Sequence, residues 1–217
     1  RDEIHPVPYN PLHLVPGEDI DLKAGELATI FQRLCGEESS AVPRMELILT
    51  SAVYALLPIP GTSLLDIERL LDQQDDAFRR WIVARTPDER TRSFWSTTYP
   101  TYPKDAHLSL INRLGRFLRP RFVRNLLCQP ESSFDFRKAM DTRKIILIPL
   151  SDGLLGPAAD ILGQIFSSAF QLAAMSRADT PALDRVPFWL FLDEFQRVAN
   201  TSTTTFEAIF TRSRKYG

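Results

Sequence analysis

Two short apolar runs, RKIILIPL at 143–150 and PFWLFLDEF at 187–195, bracket the helical pattern PAADILGQIFSSAFQLAAMSR. Each run is nearly continuous and of strand length, as expected for strands buried on both faces of a parallel sheet. The turn SDGLLG precedes the intervening helix, which Pro157 opens. Strand, helix and strand in that order make a βαβ unit, which demands a parallel sheet with helices on its faces. The Pro-rich start, HPVPYNPLHLV, is placed to add a further extended segment.

Between these pieces the pattern is helical. PRMELILTSAVYALL carries apolar residues at helical spacing, with Pro43 suited to a first turn. Ser63 and Asp66 form an approximate capping box ahead of SLLDIERLLDQ. In TPDERTRSFW, Thr86, Pro87 and Glu89 predict a cap, a first-turn proline and an N3 carboxylate. KDAHLSLINRLGRFL and PRFVRNLL complete a bundle, the second restarting after Pro120. The expected fold is therefore α/β with a large all-α insertion. Residues 1–22 and 141–217 form the α/β pieces and 23–140 the inserted helical domain. An uncapped start and a basic end at Gly217 suggest an excised fragment.

The second run ends in adjacent carboxylates, Asp193 and Glu194. In open parallel sheets ligands bind beyond the carboxyl ends of the strands. A carboxylate there can hold Mg²⁺ directly or through water, because Mg²⁺ takes one or two carboxylates plus phosphate oxygens. Its neighbour, on the other side of the pleat, is free to activate a water. This is the Walker B arrangement of phosphoryl-transfer ATPases. The alternative is a strand that leaves for solvent through two acids.

FLDEFQ followed by SRKYG resembles the HerA/FtsK-type hexameric ATPases, most closely the conjugative coupling proteins (TraD/TraG-like) of type IV secretion systems. VPYNPL, LDIERLL, FRRWIV and FDFRKAMDTRKIILIPLSDGLLG are similar in the same order, as is the long helix ending at Arg177. The resemblance implies a partial RecA-like parallel sheet with Walker B strand, formed by 1–22 and 141–217, and a helical bundle at 23–140. It also implies a P-loop ATPase that pumps DNA through a homo-hexameric ring, with ATP and Mg²⁺ as cofactors. Relaxase and secretion-channel components are the implied partners, and the location is the cytoplasm or the cytoplasmic face of the inner membrane. Asp193 would hold nucleotide-bound Mg²⁺ through water, Glu194 would activate water, and Arg214, then Arg212, would reach a neighbouring subunit's phosphates.

No G-x-x-x-x-G-K-[ST] segment occurs, so these residues lack a phosphate cradle and the fragment alone is expected to be inactive. The formal net charge is -1, which gives no global argument for nucleic acid. Locally, Arg116, Arg119, Arg121 and Arg124 interleave with Phe117 and Phe122. They could bind phosphates while the rings stack on bases, or be the solvated face of an amphipathic helix pair. In SFWSTTYPTYP, Trp95, Tyr99 and Tyr102 read either as an aromatic docking surface or, the favoured reading, as rings pinning a Pro-punctuated loop to the core. Cys35 and Cys128 have no metal-ligand spacing and read as small buried residues. Two other readings are a helical adaptor binding DNA or protein without catalysis, and a metal-dependent hydrolase using Asp193 and Glu194.

Overall fold

The computed structural model describes residues 7–15, 17–32 and 42–193. The chain divides into two units, the first running to Ser133 and the second starting at Phe134.

In the first unit, α1 (Ile20–Gln32) packs against α2 (Val42–Leu56). Ile48, Leu49, Ala52, Val53 and Leu56 of α2 are fully buried, so this helix forms the centre of the core. Then follow α3 (Leu64–Leu71), α4 (Asp76–Arg85), α5 (Glu89–Ser93), a π-helical turn (Phe94–Thr98), a 3₁₀ turn (Tyr99–Thr101), α6 (Lys104–Leu118) and α7 (Arg121–Leu127). The stretch ahead of α1 is fastened to this unit by Asn10, whose side-chain amide uses both N–H groups and its oxygen. Its Nδ2 donates to the carbonyls of Thr62 (2.7 Å) and Pro130 (3.0 Å), and its Oδ1 accepts from Leu12 N–H (3.0 Å). The Lys23 ammonium, nearly buried, donates to Glu18 (2.5 Å) and the His13 carbonyl (2.6 Å). Burial lowers the pKa of Lys23, and Glu18 partly offsets that.

The expected capping box is present at Ser63, whose N–H donates to Asp66 at 2.8 Å. The expected cap at Thr86 is not. Thr86 instead closes α4, its hydroxyl donating to Ile82 O at 3.0 Å, and Asp88 caps α5. The Asp88 carboxylate accepts from Thr91 N–H (2.7 Å) and Thr91 hydroxyl (2.6 Å). These bonds, the hydroxyl's first, hold its carboxyl below the usual range. Asp88→Ala is expected to cost about 1 kcal/mol in thermal unfolding near neutral pH. A depressed carboxyl stabilises the fold above its unfolded pKa of about 4, and that stabilisation disappears as pH falls through the folded value. The gap between wild type and variant should therefore narrow below about pH 4.

The second unit holds α8 (Phe136–Asp141), α9 (Asp152–Leu155) and α10 (Ala158–Ser176), then a 3₁₀ turn (Arg177–Asp179). Arg143 has φ 56, the left-handed conformation that ends helices, and sits where glycine is usual. Its N–H donates to Met140 O and that of Lys144 to Ala139 O, the paired bonds of a Schellman closure. This reversal sends the chain into the extended stretch 144–150.

The predicted α/β fold is not found. Among the described residues 63% are helical and no strand or sheet is present. Residues 144–150 and 187–192 are extended, but among the described residues no backbone hydrogen bond joins them. Each has a half-buried face, Phe188 stacking on Phe170 of α10 at 5.8 Å. An apolar run records only that side chains seek burial, and a helix surface can supply that burial as well as a sheet can. A ladder also needs a partner in register, which no local pattern encodes.

Candidate functional site

Residues 143–151 and 186–193, which include the two extended stretches, line a cleft of about 1040 Å³ together with Ala159, Asp160, Gly163, Phe166, Ser167 and Phe170 of α10. Burial alternates along the first stretch. Ile146 and Ile148 are half-buried, whereas Ile145 and Leu147 are 90% and 87% exposed. The second repeats the pattern, with Phe188 and Leu192 half-buried and Trp189 and Phe191 78% and 87% exposed.

An arginine clamp sets the second stretch. Arg177 is fully buried, its Nε lies 3.1 Å from Asp141 of α8, and its guanidinium donates to the Val186 carbonyl. Arg185 Nε donates to Arg177 O at 3.1 Å and Thr180 O at 2.8 Å. Arg137 of α8 donates to the Ser176 carbonyl at 2.7 Å and grips both oxygens of Asp179 at 2.9 and 2.5 Å. The end of α10, the end of α8 and the start of the second stretch are thus tied by guanidinium forks, whose planarity fixes direction as well as distance. Arg177→Lys keeps the charge but cannot span Asp141 and Val186 with one planar group. It is expected to lower protection against amide hydrogen exchange along α10 by about 1–3 kcal/mol. Unchanged protection would mean that the fork is not needed.

Asp193 ends the second stretch, exposed, and forms part of the cleft wall. Asp160, in the first turn of α10, is a second carboxylate of the same cleft and carries no motif that singles it out in sequence. Arg143 and Lys144 bring positive charge to the lining. Glu194, Arg212 and Arg214 lie outside the described residues. The arginines of α6 and α7 belong to the first unit.

Mg²⁺ bound chiefly through water needs one or two carboxylates and phosphate oxygens, and an exposed Asp193 suits that part. The 217 residues contain no P-loop to hold phosphates, and among the described residues no three His, Cys, Asp or Glu gather as a metal site. The residues present fit the acidic half of a magnesium–nucleotide site and not the phosphate-holding half.

Arg116, Arg119, Arg121 and Arg124 are all exposed. The rings between them are less available, since Phe117 is 5% exposed and Phe122 half-buried, which leaves no free face for base stacking at Phe117. Trp95 and Tyr99 are buried in the core. Cys128 is half-buried, and desolvation pushes its thiol up to about 12, away from thiolate chemistry. Among the described residues no helix is long and apolar enough to cross a membrane. No protein-family profile, no curated protein and no solved structure matches this chain.

Proposed function

We propose that this chain is part of an ATP-driven DNA translocase of the conjugative coupling type, contributing the acidic side of its nucleotide site. The observation that carries the reading is Asp193, exposed at the end of an extended apolar stretch and in the wall of a cleft. The sequence continues directly into Glu194, so two carboxylates stand at the end of that stretch. The reading draws on this acid pair and on the ordered motifs of the sequence.

Magnesium–ATP, when bound, would supply the phosphoryl group whose transfer to water drives movement. This chain's part is to offer the Asp193 carboxylate to the metal's water shell and the Glu194 carboxylate as a proton acceptor. The phosphates would be held by a cradle outside these 217 residues. A homo-hexameric ring acting on DNA in the cytoplasm or at the inner membrane's cytoplasmic face, with relaxase and secretion-channel partners, belongs to the same proposal.

The test is Asp193→Asn in the protein that joins this chain to such a cradle. A neutral amide is a poor partner for Mg²⁺, so both magnesium-dependent nucleotide affinity and turnover should fall. Parental binding and turnover would show that Asp193 is merely a solvated chain exit.

A further inference from the structure

We propose that the surface formed by the end of α6 and by α7 binds the sugar–phosphate backbone of a nucleic acid. Between Asp105 and Glu131 the sequence contains no carboxylate and five arginines, at 113, 116, 119, 121 and 124. Arg116, Arg119, Arg121 and Arg124 are exposed, and among the described residues no carboxylate forms an ion pair with any of them. Glu68 of α3 approaches α6 at Gly115, where a Cβ would lie 3.4 Å from its carboxylate oxygen, but it is not paired with these four.

Helix stability does not account for the arrangement. Arg116 and Arg119 stand at the C-terminal end of α6, where the dipole favours cations. Arg121 opens α7, where the dipole disfavours them. Arg116 with Arg119, and Arg121 with Arg124, are also like charges three residues apart, a spacing that repels. A polyanion laid across both helices would relieve each of these conflicts.

The chemistry of the surface selects the polyanion. Phe117, Leu118 and Val123 are buried and Phe122 half-buried, so no exposed aromatic or aliphatic side chain stands among the four arginines to serve as the anchor of a protein hot spot or a membrane-seeking helix. All four exposed cations are arginine, whose guanidinium fork matches phosphate oxygens in a bidentate way. Contact through phosphates without stacking makes the binding independent of base sequence. The identification of the strand as DNA rests on the translocase reading, whereas the phosphate contact rests on the arginine surface.

The experiment uses the 217-residue chain without nucleotide. Fluorescence anisotropy follows a labelled mixed-sequence DNA of about 30 nucleotides, single-stranded and as a duplex, across a salt series. Four phosphate contacts give a slope of log K against log salt near -3 for the single strand and about -3.6 for the duplex. The combined substitution R116Q/R119Q/R121Q/R124Q should flatten that slope by about 3 and lower affinity at least about 100-fold at low salt. R80Q/R85Q, two exposed arginines of α4, should leave binding unchanged. Circular dichroism should show the same unfolding for the parent and the fourfold variant, because among the described residues the four arginines support no ion pair.

Equal affinity and slope for the fourfold variant overturn the proposal. So does equal displacement of DNA by polyglutamate or by anionic lipid vesicles at matched charge, which would make the face a general acid-binding patch. Since no ATP is present, failure here removes this surface and leaves the acid pair to its own test. A failed ATPase test likewise leaves a positive binding result standing.

Discussion

Glu194→Gln, in the protein that joins this chain to a phosphate cradle, is expected to slow ATP hydrolysis by roughly 10²–10⁴-fold while nucleotide binding stays near parental. The amide keeps the length and hydrogen-bonding reach of the carboxylate, so water can still be positioned. It cannot accept the proton that the attacking water must lose, and general-base catalysis typically supplies that factor. The contrast with Asp193→Asn is the informative part. Losing a partner of the metal's water shell should affect binding as well as turnover, whereas losing the base should affect turnover almost alone. DNA should remain held by the ATP-bound Glu194→Gln protein. The measurement is a steady-state rate beside a direct binding isotherm. Hydrolysis at the parental rate in both variants would remove the translocase reading of these acids.

Trp95→Ala is expected to destabilise the first unit by about 3–5 kcal/mol. Trp95 is 1% exposed and its ring lies 4.6 Å from Tyr99 and 5.2 Å from Phe94, centroid to centroid. Its indole N–H donates to the Ser51 carbonyl at 3.1 Å, linking the π-helical turn to α2. Tyr99 continues the bracing, donating from its hydroxyl to Leu71 O of α3 at 2.6 Å. Alanine would empty the largest fully buried side chain among the described residues and leave its neighbours without contacts that a rigid core cannot readily re-form. Domains of this kind are stable by only about 5–15 kcal/mol, so the variant should unfold at visibly lower urea. Trp95→Phe keeps most of the volume and should recover more than half of the loss. A loss below about 1 kcal/mol for alanine would mean that the aromatic turn is not part of the core.

What could be read in the sequence was local. Ser63 with Asp66 announces the start of α3, and the apolar spacing of PRMELILTSAVYALL announces α2, because caps and helical faces repeat within a few residues. The pinning of SFWSTTYPTYP by its rings was also readable, since Trp and Tyr at that density seldom stay in water. Thr86 misled because Asp88 competes for the same helix start with a stronger acceptor, which its side-chain bonds to Thr91 display. The sheet misled for a different reason. RKIILIPL and PFWLFLDEF have strand composition, but pairing depends on what lies alongside: Phe188 of the second packs on Phe170 of α10, and both runs line a cleft with that helix. Of the candidate site, Asp193 was legible as the acid closing an apolar run. Asp160 and the Arg177 clamp were not, because they meet the site only through the packing of α8 and α10.

The alternating stretches around the cleft also bear on the colloidal behaviour of the chain. Backbone donors without a partner among the described residues, beside exposed Ile145, Leu147, Trp189 and Phe191, are the ingredients of edge-to-edge zippering between molecules. Pro149 and Pro187 interrupt the donor rows, since proline offers no N–H for an incoming strand to use. Arg143 and Lys144 stand guard at one end of the first stretch and Asp193 at the end of the second, as gatekeepers that make stacking of identical copies repulsive. Substitutions at the two prolines and the flanking charges are therefore expected to favour fibrous precipitation even where the folded units are untouched.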